Sequence, residues 1–363
     1  MTQQEFQKRY TYIAENDRLG GGGFGEVFKA YDTVRDRWVA LKVSKVKPEL
    51  ENVRLRKEVE MVNRLPEHPN IAFYEVCYTF REMSGEYDFG ILQYYEEGNL
   101  GQLLLNNTLT FVQKQSILTQ VLEGIDFLHQ NGVVHRDLKP QNILIARRGN
   151  EFIPKITDFG ISKKLDAGIN SVFSNSITGA GTLAYASPEQ LRQHEISKNT
   201  DLWSFGVIAF QTFTGQLPFT TGPHANTSEE GRTELFRQIK SGRLPSEITK
   251  ITEPWQTLIR RCLIPDAAVR IKNMQEVKDI LTGNDSGKAH PHLPQPDKTT
   301  LETKHKTSPP LNNPETTNIA PKPPSPTLWN KIVPASIVLI LALLAFFYYN
   351  YGKNPSGKVI SEV

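Results

Sequence analysis

Up to residue 95 the apolar positions of the chain recur at every second residue in short runs. "YTYIAENDRL" (10–19), "EVFKAYD" (26–32), "RWVALKV" (37–43), "FYEVCYTF" (73–80) and "FGILQYY" (89–95) are rich in β-branched and aromatic residues and separated by turn residues, which predicts strands. One stretch breaks the alternation. "ELENVRLRKEVEMVNRL" (49–65) spaces Leu50, Val53, Leu55, Val59, Val62 and Leu65 for one face of a helix. Beyond residue 98 the helical period dominates, as in "SILTQVLEGIDFLHQNG" (116–132), where Gly132 reads as the C-terminal stop. The pattern predicts an α+β, bilobal architecture: a small β-rich lobe over 10–93, a larger helical lobe over 98–282, and a ligand-holding cleft between them.

The alternation and the helical period both stop at residue 282. Residues 283–330 hold ten of the chain's 23 prolines and too little apolar surface to offset the entropy of ordering, so they read as a Pro-rich disordered linker. Ile332–Tyr349 then runs 18 residues without a charge. A helix there spans about 27 Å, just enough for a bilayer's hydrocarbon core. Trp329 on one side and Tyr348, Tyr349 and Tyr351 on the other fit interfacial anchors. Residues 332–349 are therefore expected to form a transmembrane helix, with 350–363 a tail too short to fold. The opening "MTQQEFQKRYTYIAEN" has no apolar stretch of the kind a secretory signal needs. A net charge of +3 gives no electrostatic footprint for nucleic acid. Cys77 and Cys262, the only cysteines, exclude a disulfide framework and a structural zinc site.

Four fragments carry chemistry. In "LGGGGFGEV" (19–27) a turn between two predicted strands holds Gly20, Gly21, Gly22, Gly23 and Gly25. Glycines let backbone N–H groups approach a polyphosphate closely. A strand comes after this turn, so it is no dinucleotide fingerprint, which requires a helix there. Lys42 lies on an apolar strand, where a charge is costly without a partner. Glu58, on the following helix, can supply one and fix the lysine against phosphates. In "HRDLKPQN" (135–142) Asp137 can accept a hydroxyl proton, Lys139 can neutralise a transferring phosphoryl group, and the amide oxygen of Asn142 can take a metal. Asp158, in "TDFG" (157–160), offers a hard carboxylate for Mg²⁺. Phosphoryl transfer needs this set: positioned phosphates, a metal, a base and a fixed lysine.

In this order the fragments resemble the signature of eukaryotic-type (Hanks-type) serine/threonine protein kinases, over about residues 10–282. Alongside them, "SPEQL" (187–191) resembles the motif that closes an activation segment, with Ser187 where alanine is usual. "DLWSFGV" (201–207) resembles the helix that anchors the catalytic loop, and Arg270 the late arginine that pairs with the glutamate here at 189. The Ser-Pro-Glu wording, with the apolar run, favours the bacterial membrane-anchored type. The resemblance implies that Lys42, Glu58, Asp137, Lys139, Asn142 and Thr182 form the catalytic set and that Asn142 and Asp158 hold the metal. It implies ATP with Mg²⁺ as cofactors, Mn²⁺ being able to substitute. Leu19, Gly20, Gly21, Gly22, Gly23, Phe24, Gly25 and Val27 would lie over the nucleotide. Ala40 and Leu144 would complete the adenine sandwich with Val27, Leu92 would be the gatekeeper, and Gln93 to Tyr95 would give the adenine its backbone hydrogen bonds.

Lys139 in "DLKPQN" and Thr182 in "AGTLAY" resemble serine/threonine enzymes rather than tyrosine kinases. Arg136 resembles the arginine that binds a phosphorylated loop, which makes Ser174, Ser176 and Thr178 candidate phosphosites. Protein substrates with Ser/Thr, a kinase-domain dimer for trans-autophosphorylation and a membrane are the expected partners; nucleic acid is not. The expected placement is a single-pass protein of the plasma or inner membrane, with the kinase domain cytoplasmic and the tail on the far side. The alternative is a pseudokinase acting as a nucleotide-binding or scaffolding module. Pseudokinases usually lose at least one of Lys42, Glu58, Asp137, Asn142 and Asp158, and all five are present.

Overall fold

The computed structural model describes residues 1–22, 25–47, 54–106, 109–159, 183–192, 194–220 and 228–284. The chain divides into two units, Met1–Thr300 and Leu301–Val363, and every described residue falls in the first. The expected linker from residue 285 onward, the expected span over 332–349 and the tail lie outside the described residues, as do Gly23, Phe24, Ser174, Ser176, Thr178 and Thr182. Among the described residues no helix is long and apolar enough to cross a membrane.

A short helix, α1 (Gln3–Arg9), precedes the small lobe. The lobe itself is one antiparallel sheet of β1 (Tyr10–Thr11), β2 (Arg18–Gly22), β3 (Gly25–Asp32), β4 (Arg37–Lys45), β5 (Tyr74–Glu82) and β6 (Gly85–Gln93). Their order is β1–β3–β4–β6–β5, with β2 also paired to β3. Strand alternation assigns the faces. On β4, Val39 and Leu41 are buried on one face with Phe6, Tyr10, Phe89 and Ile91. Ala40 and Lys42 point to the other, where α2 (Leu55–Val62) packs Leu55 and Val59 beside Tyr74 and Leu92.

Three elements differ from the sequence reading. The single strand expected over 10–19 is two strands, because "IAEND" closes a turn: Asn16 N–H and Asp17 N–H donate to Ile13 O at 3.0 and 2.8 Å. The helix expected over 49–65 is, among the described residues, Leu55–Val62. It stops short of Leu65 because Pro66 comes next, and a residue before proline is pushed out of the α region. Leu50 and Val53 of its expected apolar face lie outside the described residues. Residues 3–9 carried no helical expectation, yet they form α1 through a capping box between Thr2 and Glu5.

The large lobe runs α3 (Leu100–Leu105), α4 (Phe111–Gln130), the hairpin β7 (Ile143–Arg148) and β8 (Glu151–Ile156), α5 (Pro188–Leu191), α6 (Lys198–Thr214), α7 (Glu229–Ser241), α8 (Trp255–Cys262) and α9 (Met274–Leu281). Gly132 stands just past α4 at φ +73°, the left-handed stop expected from the sequence. Helix α6 is buried nearly all round, with Leu202, Trp203, Phe205, Val207 and Phe210 among its core residues. A helix of that kind is the centre of its lobe. Backbone bonds tie the lobes together at Ile156, whose N–H donates to Asn70 O and whose carbonyl accepts from Ala72 N–H, while Ile145 N–H to Gly98 O fastens the start of the large lobe to β7.

Candidate active site

The loop 135–142 is held from below by one carboxylate. Asp201, in the first turn of α6, accepts the backbone N–H of His135 at Oδ2 and of Arg136 at Oδ1, both at 2.9 Å. His129 Nε2, from the end of α4, lies 2.8 Å from the same Oδ2. Burial pushes the Asp201 carboxyl up, but the His129 contact and the backbone donors outweigh it, and its pKa lies below the usual range. The motif "DLWSFGV" thus anchors the loop, as its resemblance implied. Arg136 sits at φ +67°, a conformation that an arginine keeps only where its surroundings impose it.

His135 orients the backbone of Asp137. Its Nδ1 accepts the Asp137 N–H at 3.2 Å, so Nε2 carries the proton that faces Thr157 O at 2.9 Å. The Asp137 carboxylate has neighbours on two sides. Lys139 Nζ is 3.1 Å from its Oδ2, and Asn142 Nδ2 donates to the same Oδ2 at 3.2 Å and to Asp137 O at 2.8 Å. Three of the residues predicted from "HRDLKPQN" therefore share one oxygen.

The hairpin β7–β8 brings Asn142 and Asp158 to one end, because Ile143 pairs with Ile156 and Thr157 N–H donates to Asn142 O at 3.0 Å. Asp158 is held at φ +57°. From the small lobe Lys42 crosses to it, with Nζ 2.7 Å from Asp158 Oδ1 and 3.3 Å from Glu58 Oε2. Burial lowers the pKa of Lys42, but Asp158, Glu58 and Tyr74 raise it further, so the ammonium form is secured. Burial lifts the Glu58 carboxyl, with Lys42 and Tyr74 opposing.

The donor set suits a hard cation carried in with phosphates. Asn142 commits its NH₂ to Asp137, which leaves its amide oxygen to meet a metal beside the Asp158 carboxylate. Among the described residues no group of three or more His, Cys, Asp or Glu could hold a metal ion. One carboxylate and one amide oxygen fit Mg²⁺, which keeps waters and substrate oxygens. They do not fit a resident zinc.

The glycine-rich segment contributes the pairing of β2 with β3. Gly21 faces Glu26 and Gly22 faces Gly25 across β2 and β3. Gly25 has φ +122°, and a Cβ there would meet Val43 O at 2.1 Å, so only glycine fits. Leu19 is exposed and Gly20 faces open space. Val27, Ala40 and Leu144 are each half-buried, whereas Leu92 is buried opposite Ala40 on β6. Gln93 is exposed at the end of β6, and burial pushes the Tyr95 phenol up to about 12.

Behind the loop, Glu189 forms a bidentate pair with Arg270, at 2.8 and 2.9 Å. Ser187, the residue that departs from the usual alanine, caps α5 and forms a capping box with Gln190. Gln190 Nε2 also donates to Arg136 O at 2.7 Å, joining α5 to the catalytic loop.

Sequence reasoning missed three participants. Tyr74 contacts both Lys42 and Glu58. Arg54, the N-cap of α2, bonds the buried Asp88 through Nε at 2.9 Å and Nη2 at 2.7 Å, fastening α2 to β6. Gln190 is the third. The signal for Tyr74 was a hydroxyl on a residue patterned as core, since a buried tyrosine generally finds a partner for it.

Comparison with known proteins agrees with this geometry. The family described as protein kinase domain matches residues 13–281. The serine/threonine-protein kinase PrkC of Bacillus subtilis is 35% identical over 205 residues, covering 55% of this chain and 30% of PrkC. The calcium/calmodulin-dependent protein kinase type 1 of Macrobrachium nipponense is 33% identical over 261 residues, 70% of each chain. The match covers only 30%, 39% and 33% of three bacterial relatives. Among solved structures, Rad53 1–466 in complex with AMP-PNP aligns with a TM-score of 0.57 at 26% identity, covering 74% of this chain and 63% of Rad53. With a bilobal fold, a Lys42–Glu58 pair and the 135–142 loop in place, the chain belongs to the protein kinase family, among its Hanks-type serine/threonine members.

Proposed function

We propose that this chain transfers the γ-phosphoryl group of MgATP to Ser/Thr hydroxyls of proteins, itself included, in signalling at a membrane. One observation carries the reading. Lys42, Glu58, Asp137, Lys139, Asn142 and Asp158 come from separate segments of both lobes, and side-chain contacts of 3.3 Å or less join them into two adjacent groups. Mg²⁺, held by Asn142 and Asp158, would spread the charge of the phosphate oxygens. Lys42 secures the phosphates, because its buried ammonium form is favoured by the carboxylates of Asp158 and Glu58. Asp137 takes the proton of the acceptor hydroxyl, and Lys139, 3.1 Å away, offsets charge on the phosphoryl oxygens. The apolar adenine walls are Val27, Ala40 and Leu144, with Leu92 behind them.

The membrane part of the reading is supported by the sequence of residues 332–349, which would tether a cytoplasmic kinase domain and leave 350–363 on the far side. Self-phosphorylation at Ser174, Ser176 or Thr178, between two copies, would place a phosphate for Arg136 to meet. Incubating the full chain with MgATP and a Ser/Thr-containing protein should transfer phosphate to serine and threonine and to its own loop, with only a small residue of that transfer in the Asp137→Asn form. Nucleotide binding without transfer would instead make the chain a pseudokinase scaffold.

A further inference from the structure

The Lys42–Glu58 pair has a third member. Tyr74, at the start of β5, donates its hydroxyl to Glu58 Oε1 at 2.8 Å and accepts a proton of Lys42 Nζ at 3.3 Å. Lys42 itself reaches the other carboxylate oxygen, Oε2, at 3.3 Å. The two oxygens of Glu58 are thus divided between a lysine and a phenol, and the three donors of the ammonium among Glu58, Tyr74 and Asp158. Tyr74 is buried, in one apolar cluster with Leu55, Val59 and Leu92. The sheet makes room for its ring. Gly90 pairs with Lys42 across β4 and β6, and a Cβ on Gly90 would meet Tyr74 Cε1 at 3.0 Å and Cδ1 at 3.2 Å.

From this geometry we propose that Tyr74 is a positioning residue for phosphoryl transfer, its hydroxyl locking Glu58 and Lys42 into one rigid unit. The inference rests on the proposed kinase reading. The physical need is specific. A carboxylate buried beside one lysine satisfies one oxygen and leaves the other without a donor, and a buried polar atom in that state is costly. Here the second oxygen has a neutral donor fixed by ring packing. Glu58 can then stay in place when Lys42 turns its contacts toward phosphate and Asp158 turns toward metal. A lysine held only by a two-member pair would be free to follow either carboxylate, and misplacing a catalytic group by about 1 Å can cost on the order of a hundredfold in rate. The charged groups facing Glu58 are Lys42 and Asp158, so among the described residues the phenol is its neutral partner with a proton to give.

The test is a double-mutant cycle on the full chain, with Tyr74→Phe, Glu58→Ala and the double variant. Phenylalanine keeps the ring over Gly90 and removes only the hydroxyl. Tyr74→Phe is expected to lower kcat about 5–10-fold, with the affinity for MgATP measured by calorimetry changed less than about twofold; tenfold corresponds to about 1.4 kcal/mol in the transition state. In the Glu58→Ala background the same substitution should change the residual kcat by less than about twofold, because the hydroxyl has lost the carboxylate it donates to and keeps only its longer contact with Lys42. A purely structural role of Tyr74 would lower both backgrounds alike, and that result overturns the inference. So does a Tyr74→Phe chain as active as the wild type. Absence of transfer by the wild-type chain overturns the kinase reading and this inference with it, whereas a wild type and Tyr74→Phe chain of equal, substantial activity overturn the inference alone.

Discussion

Arg270 grips Glu189 with both arms of its guanidinium across 81 residues of sequence, Nη1 to Oε1 at 2.8 Å and Nη2 to Oε2 at 2.9 Å. Both groups are buried, and Thr200 adds a hydroxyl to Oε1 at 2.9 Å. Burial raises the Glu189 pKa, but Arg270 outweighs it and holds the carboxyl below its ordinary value. A depressed carboxyl contributes stability that is complete above its unfolded pKa of about 4.3 and is lost as pH falls through the lower folded value. Arg270→Met should therefore cost about 3–5 kcal/mol in denaturant unfolding at neutral pH, because it strands a buried charge. Adding Glu189→Gln should recover part of that loss. As pH falls from about 5 through the folded pKa, the wild type should lose stability more steeply than the double variant. A single-variant loss below about 1 kcal/mol would mean that the pair holds nothing together.

Asp137 is fixed by its own backbone bond to His135 and by Lys139 and Asn142 at one carboxylate oxygen. Asp137→Asn keeps the shape and removes the base, so turnover should fall by about 10²–10⁴ with the unfolding midpoint nearly unchanged. Turnover at the wild-type level, measured with the full chain and saturating MgATP, would remove Asp137 from the mechanism.

The candidate site was legible because its residues are polar where apolar ones would be expected: Lys42 inside "VALKV", and the charged and amide groups between "NGVV" and "ILIA". Such residues declare themselves by violating the local pattern. Tyr74 obeys it. A tyrosine at a buried strand position reads as core, and only the tertiary structure shows that its hydroxyl ends at Glu58. Arg54 and Asp88 were hidden for another reason. Each is ordinary surface chemistry locally, and the half-buried Arg54 meets the buried Asp88 only once α2 is laid across β6. The strand over 10–19 was read too long because period-two apolarity runs through a turn that hydrogen bonds to Ile13 enforce.

Helix α1 lies outside the matched family segment, which begins at residue 13. Phe6 nonetheless sits among Tyr10, Tyr78, Phe80 and Phe89, with ring centroids 5.0–5.6 Å away. Arg9 braces it with two bonds of 2.8 Å to the buried Asp32. Phe6→Ala should cost about 3–5 kcal/mol in unfolding. Phe6→Leu, which refills most of the volume, should cost markedly less. Equal stabilities of all three chains would show that α1 contributes nothing to the small lobe.

Gln190 ties α5 to the catalytic loop through Arg136 O, while Ser187 caps the same helix. Ser187→Ala removes one cap and should cost about 1 kcal/mol. Gln190→Leu should cost more in turnover than in stability, because it frees the carbonyl of the residue preceding Asp137. The check is a comparison of unfolding midpoints with kcat for both variants. The assignment fails if Ser187→Ala lowers kcat more than Gln190→Leu does.

The last prediction concerns the placement proposed for the chain in a membrane. Lys322 and Lys331 precede the apolar run 332–349, and Lys353 and Lys358 come after it, so counting positive charges does not choose an orientation. The proposed chemistry supplies the choice: transfer from MgATP would draw on cytosolic nucleotide, which would put the kinase domain on the cytoplasmic side and residues 350–363 on the other. Protease added to the outer face of intact cells should remove at most residues 350–363, and the full chain should sediment with membranes until detergent is added. Digestion of residues 1–282 from outside would reverse the orientation, and a full chain that stays in the soluble fraction would reject the anchor.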